Sequence, residues 1–578
     1  MPTAPGDIFS SVAVKGNGIE LNDRVKTRLI PLALIALLAF VVGAIVGCPG
    51  NPNRDAAKRY VEAWSKGDYA GMHAELDTES KEQLPFAEFT AAYGEAEAIA
   101  TMDSLSVGEE VGGDEDRAQV PTTVATRAFG RLEGDVEFEF GSDGIAWNEK
   151  MLFPGLRDGE ELTRDTELAE RASILAADGE VMVEGPAFAR EYPLGTEVID
   201  ATGIVEAAGE DLPPEEVRLG FDPGEPIGSS GLERAFNARL AGKPGGTLYA
   251  SLDGESEGRI LGEGEPEASE PLETTIDPTI QAAAANAIAP YSGGVAVLDV
   301  RKGVIRAVAG QAYSVLRPPG STMKIVTVTA GLKTGETSMD AEYPFQTAGV
   351  ADGREISNAG DAVCGGTLTQ SFADSCNSVF APMGMEIGEE ALTDTAELFG
   401  FNQEPAMFDE ETNEIVDPPE PTIPQPGEYN NELGVSAIGQ GKVQATPLLM
   451  ASVAQTIANR GVVLPTPFTT EKGLQADVEP RRVASKKIAS QVAELMVAVV
   501  TSGTGTSAAI AEGQVAGKTG TAEIREDGEG GLIEDAWFAG FAPADRPQLA
   551  VGVNVLETSG GGGAIAAPIA SAVLSAGL

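Results

Sequence analysis

The sequence predicts a membrane-tethered, multidomain α+β protein whose C-terminal half is an α/β sandwich on a mainly antiparallel sheet. Three observations carry this. A chain of 578 residues is too long for one core and has room for about three or four domains. An uncharged run from Leu29 to Cys48 has the length of about 20 residues that matches a bilayer core. From Glu273 onward, short strand patterns alternate with apolar helices, as in Gly294 to Val300 and Gly303 to Gly310.

The N-terminus reads as an address. Residues 1–28 form a polar, cytoplasmic tail, with Arg24, Lys26 and Arg28 on the inner flank of a single span over 29–48. Ile45-Val-Gly-Cys48 also reads as a lipobox, in which Cys48 would be cleaved and lipidated. Either way the bulk of the chain is expected outside the cell membrane and held to it. After residue 51, Ala56, Ala57, Tyr60, Val61 and Trp64 recur at helical spacing, Lys66-Gly-Asp-Tyr69 makes a turn, and a second helix covers Phe86 to Ala98. Gln119 to Thr126 and Gly134 to Phe140 read as strands, and His73 as a partly buried helix residue. Residues from about 156 to 270 read as a mixed, extended module. Its acidic, Gly-rich stretch from Gly254 to Glu270 is expected as a mobile surface loop, and the Glu- and Pro-rich insert from Glu404 to Tyr429, in the C-terminal half, is expected on the surface.

Composition removes several functions. A formal charge of −50 leaves no basic surface for a nucleic-acid partner. The one histidine, His73, is far from the C-terminal half, so a Ser-His-Asp triad there is impossible. Three cysteines and one histidine make no zinc spacing, and no metal or other cofactor is expected.

The chemistry concentrates on Arg317-Pro-Pro-Gly-Ser-Thr-Met-Lys324. The prolines and glycine cannot continue a helix, whereas Met323 to Leu332 can, so a helix begins at or beside Ser321. Lys324 is one turn on, on the same face, and can act as base to the Ser321 hydroxyl. Ser375-Cys376-Asn377 offers a second hydroxyl and an amide on one short turn. Lys518-Thr519-Gly520-Thr521 lies in a strand-like run from Gln514 to Ala522. Lys333-Thr-Gly335 repeats that motif but follows a helix directly, and reads as a helix end capped by Gly335. An acidic protein that binds a carboxylate needs local cations, and Lys324, Lys518 and Arg317 are the candidates.

The ordered set S-x-x-K, S-x-N and K-T-G resembles that of the class B (monofunctional) penicillin-binding proteins, D,D-transpeptidases that cross-link peptidoglycan. Gly228-Ser-Ser-Gly-Leu-Glu233 with Leu240-Ala-Gly-Lys-Pro-Gly245 is similar to that family's linker-domain signature. Thr275-Ile-Asp-Pro-Thr-Ile-Gln281, Ala437-Ile-Gly-Gln-Gly441, Val500 to Thr506 and Ala536 to Pro543 match its catalytic domain. Residues 51–150, through Ile145-Ala-Trp-Asn148 and Leu152-Phe-Pro-Gly155, resemble the NTF2-like domain of the MecA type. Residues 151–270 then correspond to the linker or dimerisation-type domain and 271–578 to the transpeptidase domain. Arg171-Ala-Ser-Ile-Leu-Ala-Ala-Asp-Gly179 departs from the family's R-G-x-I-x-D-R-x-G at Ala172, Ala176 and Ala177, which predicts weaker ion pairing there.

The resemblance implies a serine acyl-enzyme formed with peptidoglycan stem peptides ending in D-Ala-D-Ala, and covalent inhibition by β-lactams. Ser321, Lys324, Ser375, Asn377 and Lys518 would be catalytic. Thr519, Gly520 and Thr521 would bind substrate, and the backbone N–H groups of Ser321 and Thr521 would form the oxyanion hole. Other cell-wall synthesis proteins are implied partners. A D,D-carboxypeptidase or serine β-lactamase uses the same motifs, and an inactive scaffold or β-lactam sensor is the rival from another class. Cys364 and Cys376, 12 residues apart beside the S-x-N turn, read either as a disulfide or as two buried thiols.

Overall fold

The structure, a computed structural model, describes residues 51–578 apart from 110, 115, 253, 254, 256 and 527–531. The expected tail, the span over 29–48 and Cys48 lie outside the described residues. Among the described residues no helix is long and apolar enough to cross a membrane. The chain divides into two compact units. Among the described residues, one comprises 51–93 with Ser104–Val124 and Glu133–Glu161; the other comprises Gly94–Asp103, Ala125–Leu132 and Leu162–Leu578.

In the first unit, α1 (Pro52–Trp64) starts on the Asn51 side chain, which accepts from the Asn53 N–H, and has Pro52 in its first turn. It buries Ala57, Tyr60, Val61 and Trp64. α2 (Phe86–Ile99) leads to a sheet in the order β1 (Met102–Val107), β2 (Arg117–Thr126), β3 (Arg131–Phe140) and the short strand Ile145–Ala146. The interior is filled by the rings of Tyr60, Trp64, Phe89, Tyr93 and Phe138. Tyr60 and Tyr93 share a hydrogen bond of 2.7 Å, and Tyr93 donates to the Met151 carbonyl at 3.0 Å. His73 stands between Phe86 and Phe89, its Nε2 3.2 Å from the Leu84 carbonyl. It is a packing residue.

The second unit opens with a three-stranded sheet of β4 (Glu160–Glu167), β5 (Gly245–Leu252) and β6 (Arg259–Gly264), with β5 in the middle. β6 falls inside the stretch expected as a mobile loop. Acidic and glycine-rich composition speaks for the side chains, but a ladder is made by backbone groups, and β5 supplies them. The expectation of weak pairing around Arg171 also fails. Glu233, fully buried in α3 (Gly231–Ala235), accepts from Arg171 Nε at 2.6 Å and Arg190 Nε at 2.9 Å, so the alanines at 172, 176 and 177 are bypassed by charges from elsewhere in the chain.

The C-terminal part is a sandwich. Its sheet runs β8 (Ile305–Gly310), β7 (Gly293–Asp299), β11 (Leu549–Thr558), β10 (Leu532–Ala542), β9 (Ala516–Glu526), antiparallel throughout. α4 (Pro278–Ile288) and α9 (Ala566–Ala576) share a core with Val295, Val297, Val551 and Val553. On the other face α5 (Lys324–Thr334), α6 (Asn377–Ile387), α7 (Pro447–Ala458) and α8 (Lys486–Ser502) pack with Trp537, Ala539 and Phe541. Both faces are covered, which is why these strands read as unbroken apolar runs rather than alternating ones. The insert from Glu404 to Tyr429 is not wholly superficial: Met407, Phe408, Ile423 and Tyr429 are buried and anchor it, an effect its prolines and glutamates mask. Gly335 caps α5 at φ +88°, so Lys333-Thr-Gly335 is a helix terminus. The other K-T-G lies on β9, the edge strand, whose free side can meet a further extended chain.

Candidate active site

Pro318 and Pro319 bring the chain onto a single 3₁₀ turn, Gly320–Met323, that runs directly into α5. Gly320 is required there. Its φ is +52°, and a Cβ would stand 2.6 Å from the Thr521 carbonyl oxygen, so only glycine lets the Ser321 turn lie against β9. Gly520 answers from the strand side, where a Cβ would meet the Pro319 carbonyl at 2.7 Å. Close packing of the two motifs on each other, rather than room for a ligand alone, explains that glycine.

Lys324 is fully buried, and its Nζ lies 2.9 Å from Ser321 Oγ, 2.7 Å from the Ser375 carbonyl oxygen, 2.7 Å from Asn377 Oδ1 and 3.2 Å from Ser375 Oγ. Lys518 Nζ donates to Ser375 Oγ at 2.8 Å and to the Thr519 carbonyl at 3.0 Å. All three motifs therefore meet on the Ser375 hydroxyl. The ring of Phe380 lies 5.7 Å from Lys324 Nζ and that of Phe372 lies 5.6 Å from Lys518 Nζ, so apolar walls replace water around both amines. Burial pushes Lys324 well below the ordinary lysine range, and the neighbouring Lys518 charge pushes it further the same way. Burial lowers Lys518 to about 7.

The S-x-N turn is strained and held. Ser375 has φ +62°, a left-handed conformation that costs a non-glycine residue about 1–3 kcal/mol and persists only where neighbours fix it. The neighbours are several. Cys376 is bonded to Cys364, Asn377 Nδ2 donates to the Ser357 carbonyl at 2.9 Å, and the Ser378 N–H donates to Asn358 Oδ1 at 2.8 Å.

Arg317 does not join these cations. Its Nε donates to Asp535 Oδ2 at 2.6 Å, neutralising a fully buried carboxylate on β10. Thr521 is tied by Gly562, whose N–H donates to its Oγ1 at 3.3 Å, and by Gln440, whose Nε2 donates to its carbonyl at 3.3 Å. Thr519 Oγ1 lies 2.6 Å from Thr504 Oγ1. Gln440 and Thr504 sit inside the segments 437–441 and 500–506 that matched by pattern, yet nothing in sequence spacing gives either a role. A separate apolar cavity of about 120 Å³ by Phe399, Leu449 and Arg481 is lined by no lysine or histidine and offers no comparable chemistry.

Three domain models match along the chain: an NTF2-like N-terminal transpeptidase domain over residues 52–160, a penicillin-binding protein dimerisation domain over 185–273 and a penicillin-binding protein transpeptidase domain over 293–575. The peptidoglycan D,D-transpeptidase PbpA of Mycolicibacterium smegmatis is 31% identical, over 61% of this chain and 80% of that protein. This chain belongs to the class B penicillin-binding proteins. Its likeness to PbpA of Mycobacterium tuberculosis is 34% over 46% of this penicillin-binding protein and 56% of the relative. Among solved structures, the D,D-transpeptidase domain of a peptidoglycan glycosyltransferase from Eggerthella lenta matches with TM-score 0.56 and 27% identity, covering 71% of this chain and 98% of that one. A ceftriaxone acyl-enzyme complex of penicillin-binding protein A from M. tuberculosis matches with TM-score 0.56 and 26% identity, over 71% and 98%.

Proposed function

We infer that the protein is a peptidoglycan D,D-transpeptidase that forms an ester between Ser321 and stem peptides ending in D-Ala-D-Ala, and that β-lactams acylate the same oxygen. The observation that carries this is the environment of Lys324 Nζ. Its two shortest contacts, at 2.7 Å, are to carbonyl oxygens that can only accept. A neutral amine has two hydrogens, which these contacts use, and its lone pair is left facing Ser321 Oγ at 2.9 Å. Burial beside Lys518 favours that neutral form.

Lys324 then takes the Ser321 proton as Oγ attacks the penultimate D-Ala carbonyl. The backbone N–H groups of Ser321 and Thr521 hold the oxyanion, where loss of one donor typically costs about 3 kcal/mol of barrier. As the C–N bond breaks, Ser375 Oγ, which contacts both lysines, relays a proton to the departing D-Ala amine. Asn377 anchors the peptide backbone, and Lys518, Thr519 and Thr521 receive the terminal carboxylate, with the donor strand lying along β9. An acceptor amine attacks the ester, C–N replaces C–O, and Ser321 recovers its proton. Catalysis outside the cell membrane, by a chain tethered through 29–48 or through Cys48 and working beside other cell-wall synthesis proteins, is the setting that the N-terminal sequence supports.

Ser321→Ala is expected to abolish labelling by a fluorescent penicillin while leaving the fold intact. Retained labelling would overturn the nucleophile. Incubating the full chain with a donor peptide and an acceptor amine is expected to give cross-linked product; free acid alone would make it a hydrolase.

A further inference from the structure

Thr504 follows the last turn of α8 in the loop Ser502-Gly503-Thr504-Gly505. Its backbone N–H donates to the Ala373 carbonyl at 3.1 Å, at the end of the helix Leu368–Ala373 and two residues before Ser375. A Cβ on Gly503 would stand 2.3 Å from that same carbonyl oxygen, so the loop is seated against the S-x-N turn without slack. From this seat the Thr504 hydroxyl reaches 2.6 Å to the hydroxyl of Thr519, the buried middle residue of K-T-G. One side chain thus links the turn that carries Ser375 to the strand that carries Lys518.

The direction of that hydrogen bond matters. A hydroxyl has one proton to give, and a carboxylate can only accept. If Thr519 donates to Thr504, it has nothing for a substrate. If Thr504 donates to Thr519, the Thr519 proton is free to point into the cleft. Among the described residues the one rival acceptor for the Thr504 proton is the Ala373 carbonyl at 3.4 Å, a longer contact to an oxygen already served by the Thr504 N–H. Lys518 cannot substitute fully, because two of its hydrogens go to Ser375 Oγ and the Thr519 carbonyl.

We propose that Thr504 is a positioning residue for the acylation reaction: its hydroxyl donates to Thr519 and thereby turns the Thr519 proton toward the terminal carboxylate of the substrate. This rests on the reading above that K-T-G receives that carboxylate. Thr504 touches no substrate itself, and its effect is confined to substrates that carry the anion.

The test is the second-order acylation rate constant of the full chain with benzylpenicillin and with its methyl ester, which lacks the anion. Thr504→Val, which keeps the branched shape but leaves the Thr519 hydroxyl free to turn among its three staggered positions, is expected to slow benzylpenicillin about threefold and to leave the ester unchanged. Thr504→Ser is expected to restore the benzylpenicillin rate, and Thr504→Ala to show the same anion-selective loss without any crowding from an isostere. Equal loss for acid and ester would make Thr504 a structural residue only, and an unchanged benzylpenicillin rate would remove the relay; either overturns the proposal while the acyl-enzyme reading stands. A wild-type chain that neither compound acylates would overturn both.

Discussion

Two amines share the Ser375 hydroxyl at 3.2 and 2.8 Å, and they are asked to hold opposite protonation states. In the proposed reaction Lys324 must be neutral to take a proton, and Lys518 must be charged to draw a carboxylate. Burial lowers both, and the Lys518 charge adds to the lowering of Lys324, so the proton leaves Lys324 first. The second-order rate of penicillin acylation should therefore rise as Lys324 deprotonates and fall as free Lys518 loses its charge near pH 7. A bound anion favours the charged form of Lys518, so the alkaline limb of the saturated rate should lie at higher pH than that of the second-order rate. Stability moves differently. Below about 7 both folded and unfolded chains hold the Lys518 proton, and the burial cost is fully present; between about 7 and the ordinary 10.5 only the unfolded chain binds it, so this group's contribution to stability rises with pH. Stopped-flow acylation from pH 5 to 10 checks the first claim, and a second-order rate that stays flat from pH 7 to 9 would show that the Lys518 charge is not used.

The S-x-N turn is an element whose sequence gives its contents but not its tension. Ser375, Asn377 and the two cysteines were legible as a group, because motif order and a spacing of 12 residues are chain-local features; the bond between Cys364 and Cys376 was not, since it depends on a Cα separation, 5.5 Å here, that spacing does not give. The φ of +62° at Ser375 was not, since a left-handed serine carries no sequence signal. What holds it comes from Ser357 and Asn358, at the end of the hairpin that pairs Ala348–Ala351 with Arg354–Ser357, and from the disulfide. Replacing Cys364 and Cys376 together by serine removes a closed loop worth about 3 kcal/mol in the chain-entropy picture, so the urea midpoint should fall accordingly. Acylation should slow as well, on the order of tenfold, because Ser375 drifts from both lysines. A destabilised double variant that is acylated at the wild-type rate would mean the remaining hydrogen bonds position Ser375 unaided. The same contrast applies to Arg317, which reads as a substrate cation until β10 places Asp535 beneath it.

At the scale of the molecule, order along the chain was legible and partnership across it was not. The strand patterns that became β7, β8 and β9 and the alternating helices announced a sandwich on an antiparallel sheet, whereas the Arg171–Glu233–Arg190 cluster joins residues far apart in sequence and had no local trace. Charge is the property read at this scale from the start, and it bears directly on turnover. With −50 distributed over the chain, an anionic acyl donor is repelled until it enters the cleft where Lys518 takes over. An acceptor amine, protonated while free in solution, is attracted by the same field. Salt should then act on the two half-reactions with opposite sign. The Debye length shortens from about 30 Å at 0.01 M to about 10 Å at 0.1 M, which screens the exposed acidic surface far more than the buried lysines. Raising NaCl across that range is expected to speed acylation by benzylpenicillin roughly two- to threefold, to leave its methyl ester unchanged, and to slow capture of the acyl-enzyme by a cationic acceptor. Acylation of the anionic compound that slows with salt would mean that Lys518 and its immediate surroundings, rather than the acidic shell, set the field the donor meets on its way in.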